Sequence, residues 1–258
     1  MSKFKSHLYI PDAQVKPNVP LQHIEALGNY IVEKRPTIII NAGDWWDLPS
    51  LSSYDRGTKK AEGRRLSEDI QAGIDAMTLL LKPLRALQAR QLANKKKVYK
   101  PEMHFTLGNH EERLMRHVNA NPELAGYLSY DAFKLAEFGW TVHDFLKPVI
   151  LDGIAYAHYF ANPMSGRPYG GNIINKLNKI KTSFTQGHQQ TLEIGNEQTA
   201  IGKRLWGIVA GSFYLHDEEY KGYQGNGHWR GVIMKHNVKD GDYSPCIVNM
   251  DFLLERYL

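Results

Sequence analysis

Five short polar clusters punctuate this chain, each where a run of apolar or β-branched residues gives out. They are Asp12-Ala13-Gln14, Gly43-Asp44-Trp45-Trp46-Asp47, Gly108-Asn109-His110-Glu111, the lone His158, and Gly187-His188-Gln189-Gln190. Carboxylate, amide and imidazole side chains are the oxygen and nitrogen donors that hold divalent cations. Two such cations sharing a carboxylate would polarise a bound oxygen and acidify a common water. Taken one at a time the residues have plainer uses. Asp44 could cap a helix, Asn109 could sit in a turn, and His158 could be a hydrogen-bonded core histidine. Their succession, run after run, is what points to a single metal site.

The runs that lead into these clusters read as strands: 7–10, 37–40, 103–107, 154–157 and 181–184. Between the first two, Leu21, Ile24, Leu27 and Ile31 recur at helical spacing and predict a helix over 21–34, which Pro36 separates from the next strand. A longer amphipathic pattern over 62–94 places Leu66, Ile70, Ile74, Met77, Leu81, Leu84 and Leu87 on one side, with a kink expected at Pro83. Lys95-Lys96-Lys97 then suits the solvated end of that helix. A further helix is expected from Glu111 to Asn119, opening straight after the third cluster. Residues 161–181 read as a loop with a short helix facing the site, and the tail from Leu205 as closing strands. Strand and helix alternate, which predicts an α/β class. In such a sheet, donors gather at the carboxyl ends of strands.

At 258 residues, 42% of them hydrophobic, the chain is long enough for a real core, and one domain over 1–258 is expected. No apolar stretch reaches the length of a membrane span. The opening Met1-Ser2-Lys3-Phe4-Lys5-Ser6-His7 lacks the apolar segment of a secretory signal. Cys246 is the only cysteine, so no intrachain disulfide forms, and a reducing cytoplasm is expected. Lys and Arg total 32 against 27 acidic residues, an excess of +5 that favours anionic substrates without identifying nucleic acid.

In order and spacing the clusters resemble the motifs of the calcineurin-like metallophosphoesterases: Asp-x-His, Gly-Asp-x-x-Asp, Gly-Asn-His-Asp/Glu, a lone His, and Gly-His-x-His. The match runs from residue 12 to 190, and the wording of its segments is most similar to members carried on bacteriophage genomes, which would place the protein in a host cytoplasm. The resemblance implies a four-layer α/β fold, a β-sandwich flanked by helices, with two divalent metal ions at one edge. It implies that Asp44 bridges both ions, that Asn109, His158 and His188 complete one site, and that Asp12, Gln14 and Gln190 complete the other. A hydroxide held between the ions would attack phosphorus. His110 would protonate the leaving group or steady the transition state, and Asp47 would orient that histidine.

The chain departs from the pattern at Gln14 and Gln190, where the family has histidine. Both losses fall on one site, which is then expected to be the looser one and to suit Mn²⁺ or Mg²⁺, with Fe²⁺ and Zn²⁺ as alternatives. Each glutamine could ligate through its carbonyl or stand in an outer hydrogen bond. Arg113, one turn beyond His110, could meet a phosphate or pair with a carboxylate. Trp45 and Trp46 are expected to pack at the sheet edge rather than stack on bases. Where the family's protein phosphatases continue with Arg-Gly, this chain has Leu48-Pro49. With the basic residues Arg56, Lys59, Lys60, Arg64 and Arg65, this favours a phosphodiesterase acting on DNA, RNA or nucleotides. A phosphomonoesterase and a catalytically silent scaffold are the alternatives.

Overall fold

The computed structural model describes residues 5–218 and 221–258; the polar opening at 1–4 lies outside them. In chain order the first half contains β1 (Lys5–Ile10), α1 (Gln22–Lys34), β2 (Ile38–Asn41), α2 (Leu66–Ala93), β3 (Glu102–Thr106), α3 (Glu112–Ala120), α4 (Leu135–Phe138), β4 (Thr141–His143) and β5 (Val149–Leu151). The second half adds β6 (Ile154–Ala157), α5 (Ile173–Ile180), β7 (Ser183–Gln186), β8 (Leu192–Gln198), β9 (Arg204–Ala210), α6 (Gly222–Asn226), β10 (Gly231–Lys239), β11 (Asp242–Asn249) and α7 (Met250–Tyr257). The α/β class holds, and the strands form two sheets. One has the order β11-β10-β1-β2-β3-β4, the other β5-β6-β7-β9-β8.

Side-chain alternation explains how the sheets are covered. Successive residues of a strand point to opposite faces. On β1 and β2, Leu8, Ile10 and Ile39 join a cluster with Ile24, Leu27, Met77, Leu81 and Leu253 of α1, α2 and α7. Their neighbours Tyr9, Ile38 and Ile40 join a second cluster with Ile154, Tyr156, Ile208 and Ala210 of the other sheet. The alternate residues of β6, Ala155 and Ala157, pack with Phe184, Leu205 and Leu177 of α5. Apolar residues thus cover both faces of each sheet's central strands, as the near-continuous Ile-rich runs require.

Three readings of the sequence are corrected. The run at 181–184 begins late, because α5 extends to Ile180 and Lys181 caps it with left-handed backbone (φ 64°), so the strand occupies Ser183–Gln186. The residues from Leu205 do not only close the fold: β9 is an inner strand, parallel to β7 and antiparallel to β8. The chain ends in a helix, α7, whose start is capped by the Asn249 side chain accepting from the Phe252 N–H.

Register brings the functional loops together. Ile10 pairs with Asn41, and Asn41 with Phe105, so the first three parallel strands end in line. In the other sheet Ala157 pairs with Gln186, and Gln186 with Val209. The two sets of ends are tied across the sheets: Phe213 N–H donates to the Asp12 carbonyl (2.7 Å), and His158 Nδ1 lies 2.9 Å from the Ala42 carbonyl. Among the described residues no helix is long and apolar enough to cross a membrane.

Between the sheets sits a buried polar group. Lys235 Nζ donates to Tyr156 Oη (3.1 Å) and Thr185 Oγ1 (2.6 Å) and lies over the rings of Tyr9, Tyr156 and Tyr243. His7 hydrogen-bonds Tyr156 through Nδ1 (2.7 Å) and Asp152 through Nε2 (3.0 Å). Burial, with the Lys235 charge adding to it, holds His7 down at about 4, below its ordinary 6.5. Between those two values the unfolded chain takes up the proton and the folded chain does not. Stability therefore falls as pH drops from about 6.5 to about 4, by up to about 1.4 kcal/mol per pH unit, with no further loss from this group below that. Urea denaturation across this range should show a shallower acid loss in His7→Gln than in the parent. Equal slopes would place the acid sensitivity elsewhere.

Candidate metal centre

The β2 loop sets the centre of the site. Asp44 has left-handed backbone (φ 46°) and is almost fully buried. Its carbonyl accepts from the N–H groups of Ala13 (3.1 Å) and Gln14 (2.8 Å), which locks the first loop to the second. Its carboxylate accepts from the His110 N–H (2.9 Å) and lies 3.3 Å from His158 Nε2 and 3.7 Å from His110 Nε2. Such proximity needs a bare backbone alongside. A Cβ on Gly108 would stand 2.2 Å from Asp44 Oδ1, and one on Gly187 would stand 2.2 Å from Asp12 Oδ1.

Left-handed backbone recurs in these loops. Besides Asp44, it occurs at Gln14 (φ 42°), Leu48 (50°), His188 (64°) and Gln190 (56°). For non-glycine residues this costs about 1 to 3 kcal/mol each, and it persists where surrounding contacts impose it. Here those contacts are the loop-to-loop hydrogen bonds around Asp12 and Asp44.

Four of the predicted ligands converge. Asn109 Oδ1 lies 2.8 Å from both His158 Nε2 and His188 Nδ1. One oxygen of Asp44 and one nitrogen each of His158 and His188 lie within 4.8 Å of one another. The Nδ1–H of His158 goes to the Ala42 carbonyl, so in the neutral ring Nε2 carries a lone pair. That lone pair faces two acceptors, Asn109 Oδ1 and an Asp44 oxygen. Such an arrangement repels unless a positive charge lies among the donors. Without an ion, a proton serves. Although burial opposes it, the Asp44 carboxylate raises His158 to about 9. His188, by contrast, is lowered to about 4 by burial and by the His158 charge, and offers a neutral nitrogen. A carboxylate, an amide oxygen and two imidazoles form a donor set that fits a divalent transition metal.

The other half of the site is differently engaged. Asp12 is fully buried and accepts from the His188 N–H (3.0 and 3.1 Å) and the Gln190 amide (3.3 Å). Burial lifts it to about 6, with His158 opposing and Asp44 adding to the rise. Gln14 Oε1 is buried and has no hydrogen-bond partner among the described residues. Gln190 Oε1 accepts from Tyr214 Oη (2.8 Å) and from the Lys221 ammonium.

His110 and Asp47 stand beside Asp44. His110 Nδ1 lies 2.8 Å from the Asp47 carbonyl and 3.1 Å from its carboxylate. Burial works against a charge on His110, but Asp44 and Asp47 together raise it. Arg113 donates to the Asp47 carbonyl (2.7 Å) and meets His110 Nε2 (3.0 Å), while Arg116 donates to the Asn109 carbonyl (2.6 Å). Both guanidinium groups of α3 therefore brace the loops. Lys16 pairs with Asp47 (3.2 Å) and Glu218 (2.7 Å). Trp45 and Trp46 are fully buried, their indole N–H groups donating to Gly73 and Ile70 carbonyls of α2.

Glu111 is the residue that sequence reasoning left without a task. Its buried carboxylate accepts from the N–H groups of Asp44 (2.8 Å), Gly108 (2.9 Å) and Trp46 (3.1 Å). It staples the second loop to the third, and its acidic type in the third cluster was the available signal. Lys16, Tyr214, Glu218 and Lys221 carried no such signal.

No protein-family model matches this chain, and no curated protein matches it. Among solved structures, it is similar to the phosphoesterase YfcE from E. coli at 12% identity and a TM-score of 0.39, over 95% of this chain and 100% of that one.

Removing the staple leaves three buried N–H groups unpaired. Glu111→Ala should lower stability by at least about 3 kcal/mol in urea denaturation. A change within about 0.5 kcal/mol would show that Glu111 does not hold the loops.

Proposed function

We propose that this chain is a divalent-metal-dependent phosphoester hydrolase of the calcineurin-like kind, with Mn²⁺ its ion and a phosphodiester of nucleic acid or a nucleotide its substrate. The observation that carries this reading is the convergence of Asp44, Asn109, His158 and His188 on one point, with His110 held beside it by Asp47. What the ion supplies when bound is Lewis-acid polarisation of a phosphoryl oxygen and activation of water.

The protein's own part is positioning and proton transfer. Asp44, Asn109, His158 and His188 would hold the ion in a buried pocket where charge interactions are strong. Asp47 accepts the Nδ1–H of His110 and so aims Nε2 toward the Asp44 carboxylate, where the ester would bind. From that nitrogen His110 would donate a proton to the departing oxygen once the Arg113 guanidinium, which now donates to Nε2 (3.0 Å), gives way to the ester. The raised affinity of His110 for its proton suits an acid at neutral pH. Preference for a diester is supported by Arg113 and Arg116, both spent on loop carbonyls. Arg116 is turned to a backbone carbonyl, and Arg113 is held by Asp47 and by His110 Nε2 rather than left free to clamp the second negative charge of a monoester.

With Mn²⁺ added after EDTA stripping, bis-p-nitrophenyl phosphate should be cleaved faster than p-nitrophenyl phosphate, and Asp44→Asn should abolish both activities. Faster monoester cleavage would reverse the substrate assignment. No turnover with any divalent ion would leave a silent scaffold. His110→Ala should cost about 10²- to 10⁴-fold in kcat, and less on a p-nitrophenolate leaving group than on an alkoxide, which needs the proton more. Asp47→Asn removes one of the charges that hold the proton on His110. The alkaline limb of its rate profile should therefore move to lower pH, and an unmoved limb would separate Asp47 from the acid.

A further inference from the structure

The half of the site around Asp12 does not fit a second divalent ion. Gln190 turns its carbonyl oxygen to Tyr214 and to the Lys221 ammonium, and its NH₂ to Asp12. Turning the amide over would set its NH₂ against the ammonium and its oxygen against the carboxylate, so this orientation is fixed by its neighbours. Gln190 therefore offers no lone pair toward Asp12. Both carboxylate oxygens of Asp12 already accept N–H groups. What remains on that side is the unpartnered carbonyl of Gln14 and the spare lone pairs of Asp12, oxygen donors too few for a divalent ion and with no imidazole among them. A positive charge also already stands there. Lys221 Nζ reaches Gln190 and Tyr214 Oη (2.6 Å), one amide away from Asp12.

Resting on the metal-dependent reading above, we propose that the Lys221 ammonium takes the place of the first cation, so that the chain holds one divalent ion, at Asp44, Asn109, His158 and His188. The loss of two histidines and the presence of the lysine are then one change. Imidazoles at 14 and 190 would be drawn to a metal, whereas the Gln190 carbonyl is an acceptor suited to an ammonium. An ammonium has three N–H donors, and among the described residues Gln190 and Tyr214 take two. The third can meet a phosphoryl oxygen and offset its charge, as a point charge rather than a Lewis acid.

The test is metal stoichiometry, read without turnover. The protein is loaded with excess Mn²⁺, freed of unbound ion by gel filtration, and examined by elemental analysis and by electron paramagnetic resonance. The parent should hold one Mn²⁺ per chain with the spectrum of an isolated ion. The triple variant Gln14→His, Gln190→His, Lys221→Met should hold two and show exchange coupling. Two coupled ions in the parent would overturn the role given to Lys221 while leaving the metal-dependent reading intact. No bound ion in the parent would overturn both. A folded triple variant that still holds one ion would show that the lysine and the glutamines do not exclude the second. If that variant fails to fold, the parent's stoichiometry decides alone.

Discussion

Two acceptors and a lone pair aimed at one another cannot rest together in a buried pocket without a positive charge among them. Asn109 Oδ1, the Asp44 carboxylate and Nε2 of His158 are set in that relation, with His188 Nδ1 beside them. The surrounding structure exists to impose it. Asp44 is held by N–H groups from the first and third loops, and Glu111 fastens the second loop to the third. The fold supplies the rigidity. Strands from two sheets end at one edge, and hydrogen bonds from Phe213 and His158 cross between them. The left-handed backbone at Gln14, Asp44, His188 and Gln190 is the conformational cost of that arrangement.

The same pocket divides into two electrostatic halves. Around His158 and His188 the donor set fits a divalent cation; around Asp12 an ammonium is close at hand. Burying several carboxylates in one place is tolerable only when positive charge is supplied nearby. The chain supplies part of it from its own lysines and histidines: Lys16 beside Asp47, His110 beside Asp44, Lys221 beyond Gln190. At Asp44, Asn109, His158 and His188 an ion would complete the set.

Much of this was readable from residue order. A β-branched run followed by a polar cluster marks a strand and its carboxyl-end loop, and the structure brings Asp12, Asp44, Asn109, His110, His158 and His188 into one pocket on that basis. What escaped was of two kinds. Strand β8 and helix α7 have no distinctive periodicity; β8 is half-exposed along its length, and α7 is decided by an asparagine cap and by packing on α1. Lys221 escaped because nothing local marks it. It lies 31 residues beyond Gln190, and only the folded chain brings the two together. Gln14 and Gln190 show the same limit. Their types announce a departure from histidine, but whether an amide ligates or hydrogen-bonds depends on neighbours that sequence spacing does not reveal.

The most direct test is where a cation binds. Crystals soaked in Mn²⁺ should show an anomalous difference peak within ligand distance of Asp44, Asn109, His158 and His188, and the peak should vanish in Asp44→Asn. If the soaked parent shows no peak there, with Asn109 Oδ1 still against both imidazoles, the charge that balances this pocket is a proton and the hydrolytic account is wrong.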